Sequence, residues 1–196
     1  GVFSAYVTVP QKQLIPVPAS ISTTASGLLQ VLGTCVHAQK TVKVFPGQVA
    51  AVVGLGVAGQ LMVQILKARG VEVVGITRSE WKRELAAASG AVATAAPDDA
   101  AKMLADVTSG RGPDLVVEAA GTERTLAQSI ELAAIGGEVL VFGTITGGNQ
   151  GLPYYQLYFK ELTLYNPRAP LPGDYAIGIE LAASGRLNLE PLVTHQ

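Results

Sequence analysis

The sequence predicts a doubly wound parallel α/β sheet with helices on both faces. Short apolar, β-rich runs alternate with helical stretches from Val49 onward, the spacing of right-handed βαβ units. A glycine pattern, Gly54-x-Gly56-x-x-Gly59, sits where the first run passes into the first helical stretch. The composition is 48% hydrophobic and 15% charged, against about 25% charged in an ordinary soluble domain. That balance suits a sheet buried on both sides.

Taken in order, "VAAVVG" (49–54) reads as a buried strand. Residues 57–69 read as a helix, with Leu61, Ile65 and Leu66 on one side. "VEVVGIT" (71–77) is the next strand, and Ser79 is placed to cap a helix that reaches Ala88. "AVATAA" is a short strand stopped by Pro97, and residues 98–109 form a helix closed by the turn "SGRGPD". "LVVEAA" (115–120) is a strand, 122–134 a helix and "GEVLVFGT" (137–144) a strand. Gly147, Gly148, Gly151 and Pro153 mark turns. An aromatic helical stretch "YYQLYFK", a strand "ELTLY" and a helix over 173–184 follow. The ends break the alternation. "SAYVTVPQKQLIPVP" and "LNLEPLVTHQ" read as short strands that pair with something outside this pattern.

Composition excludes several function classes. The 196 residues carry a net charge of −1, so no basic field draws nucleic acid or anionic lipid. A single cysteine, Cys35, rules out an intrachain disulfide framework or a zinc ribbon built by this chain alone. No stretch of about 18 residues is apolar and the first residues lack a basic region followed by an apolar one, so neither a membrane span nor a signal peptide is expected. The expectation is a cytoplasmic domain with neither membrane nor nucleic-acid partners.

The glycine spacing carries a mechanism. Gly54 permits the tight turn out of the strand, Gly56 lets the backbone approach a diphosphate, and Gly59 lets the helix pack on the sheet. The diphosphate then lies over the N–H groups that open the helix, at Val57 and Ala58. Strand, loop, helix and second strand follow in the order that a Rossmann-type dinucleotide site requires. The end of the second strand selects the dinucleotide. A carboxylate there pairs with the ribose of NAD, whereas small residues with cations suit the extra phosphate of NADP. Thr77, Arg78 and Ser79, with Lys82 one turn on, point to NADP, with NAD as the alternative.

The chain resembles the medium-chain dehydrogenase/reductase family, the zinc-type alcohol dehydrogenases and quinone reductases. The likeness lies in "FSAYVTVPQKQLIPVPASIS", "FPGQVAAVVGLGVAGQLMVQILKARG", "GPDLVVEAAGTERTLAQSIELAAIGGEVLVFGTI" and "ELAASGRLNLEPLVTHQ", all in the family's order. The resemblance implies a division into residues 1–19, the end of a GroES-like catalytic domain, 20–190, the cofactor-binding domain, and 191–196, the return toward the catalytic domain. It implies that Ala119, Ala120 and Gly121 pack the adenosine side of the cofactor. Phe142, Gly143 and Thr144 would meet the nicotinamide, and Thr34 would touch its ring. It further implies hydride transfer between NADP(H) and an alcohol, carbonyl or quinone, and assembly as a homodimer or tetramer.

One position departs from the family. "QVLGTCVHA" aligns with the helix that completes the catalytic zinc site in sorbitol-type members, which places Gln30 at the ligand position. A neutral amide is a poor zinc ligand, and Cys35 lies about 500° further round a helix. Cys35, His37 and His195 therefore read as structural, so no metal ligand is assigned here, and zinc would belong to the full-length protein. No catalytic residue is assigned either. A short-chain dehydrogenase is excluded because "YYQLYFK" lacks Tyr-x-x-x-Lys. A regulatory nucleotide-sensing domain is the alternative function, and the sequence on either side of the chain would discriminate it.

Overall fold

The computed structural model describes residues 4–145 and 151–194. In chain order the regular elements are α1 (Thr23–Ser26), α2 (Leu29–Gln39), β1 (Val49–Val53), α3 (Val57–Ala68), β2 (Glu72–Ile76) and α4 (Glu80–Ala88). They continue with β3 (Ala93–Ala95), α5 (Ala100–Thr108), β4 (Leu115–Glu118), α6 (Glu123–Leu132), β5 (Glu138–Val141), α7 (Tyr154–Phe159), β6 (Thr163–Tyr165) and α8 (Pro172–Ala183). The six strands form one sheet in the order β3-β2-β1-β4-β5-β6, and every pairing is parallel. The chain winds outward from β1 to β3, then crosses back to β4. The crevice at that reversal, beyond the carboxyl ends of β1 and β4, is where such sheets hold ligands.

Alternation along β1 divides the core. Ala50 and Val52 pack toward α2, α3 and the last leucines of the chain. Val49, Ala51 and Val53 pack toward α5 and α6. All five β1 residues are buried, as expected of a central parallel strand covered on both faces. Helix α3 buries Leu61, Met62, Val63, Ile65 and Leu66. Each is worth roughly 1.5–3 kcal/mol of apolar transfer free energy.

Three expectations need correction. Strands β4 and β5 stop at Glu118 and Val141, short of the predicted 120 and 144. The Ala120 and Gly121 N–H groups turn to the Glu118 side chain, and those of Phe142 and Gly143 both donate to the Glu118 carbonyl. The β stubs at the two ends are absent among the described residues. Residues 4–19 hold only a 3₁₀ turn at Gln11–Gln13, with Tyr6, Val7, Leu14 and Ile15 exposed and no neighbouring strand to pair. At the other end, Leu187, Leu189 and Leu192 are buried. There the Gln64 amide, not a strand, satisfies the Asn188 backbone, donating to its carbonyl at 3.0 Å and accepting its N–H at 2.7 Å. A 3₁₀ turn at Glu190–Leu192 follows. Gly147, Gly148 and His195 lie outside the described residues.

Candidate functional site

The β1–α3 loop is built by its glycines. Gly54 has φ +95°, and a Cβ there would stand 2.7 Å from the Ala120 nitrogen. A Cβ on Gly59 would collide with the Gly54 carbonyl oxygen. Both are constrained by the fold itself. Gly56 differs, because nothing lies within 4 Å of the Cβ it lacks. It caps α3 without a side-chain hydrogen bond. The opening N–H groups of α3, Val57 and Ala58 included, have no intrahelical acceptor. A helix N-terminus faced by a bare glycine backbone suits a diphosphate.

At the end of β2, Thr77 is half-buried, Arg78 exposed and Ser79 half-buried. Ser79 occupies the N-cap of α4, yet its hydroxyl makes no capping bond. Two side chains that the sequence reading passed over hold this turn. Arg83 donates from Nη1 to the Thr77 and Arg78 carbonyls at 2.9 and 3.0 Å. Gln60, buried on α3, donates to the Lys82 carbonyl at 2.8 Å. The Lys82 ammonium lies 5.3 Å from the centroid of the Trp81 ring. A cavity of about 250 Å³ opens between Gly56, Val57, Trp81, Lys82 and Leu192.

The two remaining loops touch each other. A Cβ on Gly121 would meet the Thr144 carbonyl oxygen at 3.3 Å, and one on Gly143 would collide with the Gly121 nitrogen. Ala119, Ala120 and Gly121 therefore form one wall with Phe142, Gly143 and Thr144, and Ala119 and Ala120 also back onto Gly54. Beyond that wall lies a cavity of about 720 Å³ lined by Phe142, Thr144, Leu152, Asn166 and Arg168 among others. Glu118, fully buried, sits beneath both loops. No feature of spacing singled it out, although a carboxyl in the apolar run "LVVEAA" was a visible anomaly.

Thr34 stands apart from this cluster on α2, half-buried, with its hydroxyl donating to the Gln30 carbonyl at 3.2 Å. The neighbouring Cys35 thiol points inward, 3.8 Å from the Ala58 carbonyl. Burial pushes its pKa well above the ordinary thiol value, which disfavours the thiolate a metal needs. Gln30 offers only its exposed amide, 3.5 Å from the Thr34 hydroxyl. His37 turns to Asp174. No three His, Cys, Asp or Glu side chains gather as a ligand set among the described residues. The side chains present do not fit a zinc ion.

The sequence profile described as "Zinc-binding dehydrogenase" matches residues 57–184. The chain is 29% identical over 201 residues to a probable D-xylulose reductase A of Emericella nidulans, covering 99% of this chain and 56% of that protein. It is 32% identical over 204 residues to an L-threonine 3-dehydrogenase of Pyrococcus horikoshii, covering 100% and 57%. The chain thus spans little more than half the length of the curated relatives it matches. Among solved structures, it is similar to one from Sinorhizobium meliloti 1021, described as a zinc-binding dehydrogenase bound to NADP. There the TM-score is 0.86 and the identity 29%, over 95% of this chain and 56% of that one. An alcohol dehydrogenase from Thermus sp. ATN1 matches with a TM-score of 0.83 and 27% identity, over 91% and 54%.

Proposed function

The chain belongs to the zinc-binding dehydrogenase family, and on that premise we propose that it is the NADP(H)-binding part of an oxidoreductase. The whole enzyme moves hydride between the cofactor and an alcohol, a carbonyl compound or a quinone. One observation carries the choice of NADP. The end of β2 presents Thr77, Arg78 and Ser79 with no carboxylate before Glu80, and neither the Arg78 guanidinium nor the Ser79 hydroxyl has a side-chain partner among the described residues. The NADP-bound relative from Sinorhizobium meliloti supports the same reading.

In this reading Gly56, Val57 and Ala58 receive the diphosphate on free N–H groups. Arg78, with Lys82 one turn on, binds the ribose phosphate by charge-assisted hydrogen bonds. The wall from Ala119 to Gly121 flanks the adenosine. Phe142, Gly143 and Thr144, together with Thr34 of α2, orient the nicotinamide. The nicotinamide supplies the hydride chemistry, and the residues of this chain supply position and field. No step is routed through zinc, because the side chains present here do not form its site. The reading includes a homodimer or tetramer, since among the described residues β6 pairs with β5 alone and leaves an open sheet edge. It also includes binding without sustained turnover by the 196 residues alone.

Fluorescence titration of the chain with NADPH tests the reading. Saturable binding supports it, and no binding at millimolar NADPH overturns it.

A further inference from the structure

We infer that Glu118 is a positioning residue for the dinucleotide site, one buried residue whose side chain sets the loop after β4 beside the loop that its backbone carbonyl holds. It is the last residue of β4 and has no solvent exposure. Its register neighbours are Val53 on β1 and Val141 on β5, so an apolar residue is the ordinary choice there. Instead, Oε1 accepts three hydrogen bonds. The Ala120 and Gly121 N–H groups donate at 2.9 Å each, and the Thr125 hydroxyl donates at 2.7 Å. The Glu118 carbonyl meanwhile accepts from Phe142 at 2.8 Å and Gly143 at 3.0 Å. One residue therefore holds the loop after β4 through its side chain and the loop after β5 through its backbone.

The second carboxyl oxygen explains why this is more than local capping. Oε2 is buried and has no hydrogen-bond partner among the described residues. It lies against Gly143, where an added Cβ would come within 2.5 Å of it. The carboxyl holds the Gly121 amide in place, and the bare Gly143 lets the two loops close. The donors cannot all be met by an apolar side chain, and no neighbouring side chain replaces the acceptor among the described residues. The three-way acceptor thus fixes residues 120–121 to the end of β4, whose own carbonyl holds Phe142 and Gly143.

This inference rests on the dinucleotide reading for its ligand but not for its geometry, and the experiment separates the two. NADPH affinity and amide hydrogen exchange are measured on the parent chain, Glu118→Leu and Glu118→Gln. Glu118→Leu is expected to weaken NADPH binding by about tenfold or more, the scale of a lost buried acceptor. It should speed exchange at Ala120 and Gly121, while Gly143, held by the Glu118 backbone carbonyl, and Val52 and Val117 keep their protection. Glu118→Gln, whose amide oxygen can replace Oε1, is expected to restore both. Parental affinity and exchange in Glu118→Leu would overturn the inference, as would protection lost equally across the whole sheet. If Glu118→Leu does not fold, Thr125→Val decides. Faster exchange at Ala120 and Gly121, restored by Thr125→Ser, supports the role, and unchanged exchange overturns it. If the parent chain binds no NADPH, the dinucleotide reading falls, and the exchange pattern alone decides the fate of Glu118.

Discussion

His37 and Asp174, 137 residues apart in sequence, meet at 2.9 Å between Nδ1 and Oδ2. Lys40 donates to the other carboxyl oxygen at 2.7 Å, and the Leu171 N–H closes the set at 2.7 Å. Asp174 is wholly buried, so the carboxyl at the start of α8 is fastened to His37 of α2 and to Lys40, the residue that ends it. Helix α2 in turn carries Thr34. The Asp174 cluster therefore helps to fix the helix that carries Thr34.

That pair makes stability depend on acid. Burial pushes the Asp174 carboxyl up. The Lys40 hydrogen bond, the Leu171 N–H and the His37 ring outweigh it and hold the pKa below the ordinary value. A depressed folded-state pKa gives stability that is complete above the unfolded value and lost as pH falls through the folded one. Thermal denaturation of the parent should therefore show a loss below about pH 4 that Asp174→Asn lacks. At neutral pH, Asp174→Ala should cost about 2 kcal/mol, less than a fully buried pair because Lys40 and His37 can reach water. Equal acid sensitivity in parent and Asp174→Asn would contradict this assignment.

The three loop glycines should separate by assay. Gly54→Ala meets both a positive φ and the Ala120 backbone, and should lower stability by about 2–4 kcal/mol. Gly59→Ala should do likewise against the Gly54 carbonyl. Gly56→Val should leave the melting temperature nearly unchanged, because its side chain points into open space, and should abolish NADPH binding. Denaturant titration beside ligand titration checks the contrast. A Gly56→Val chain that still binds would show that the diphosphate does not lie there.

How far the sequence carried the fold is clearest at this loop. The glycine spacing and all six strands were legible because buried parallel strands are short apolar runs cut by turns. The roles of Gln60, Arg83 and Glu118 were not: Gln60 binds a carbonyl that folding alone brings near, and Arg83 and Glu118 bind nearby backbone groups that only the turn geometry aims at them. The ends misled for a related reason. Leu187 and Leu189 alternate as in a strand, but alternation records burial and says nothing of where the backbone hydrogen bonds go. At Asn188 they go to the Gln64 amide. Cofactor choice rested on three residues, Thr77 to Ser79. The side chains that hold that turn were invisible until the fold was in view.

The open edge of β6 predicts self-association. Sedimentation at tens of micromolar should give a species at or above twice the 20.3 kDa chain mass, with a fraction that rises with concentration. A monomer alone at every concentration would remove the dimer from the account.

Arg83 gives a prediction at a distance from the ligand. Its guanidinium holds the Thr77 and Arg78 carbonyls, so Arg83→Ala should loosen the turn that presents Arg78. Dinucleotide affinity should fall about fivefold to tenfold, on the scale of the net worth of two hydrogen bonds to a charged group in a half-exposed setting. Isothermal titration would reveal this loss, and parental affinity would assign the turn's shape to the backbone alone.

The choice between the two nicotinamide cofactors tests the account most directly. The parent chain and Arg78→Ala are titrated with NADPH and with NADH under one buffer. The account predicts tighter binding of NADPH by the parent, and a loss of about 1.5–3 kcal/mol for NADPH in Arg78→Ala with little change for NADH. Equal affinities in the parent, or tighter binding of NADH, would contradict it.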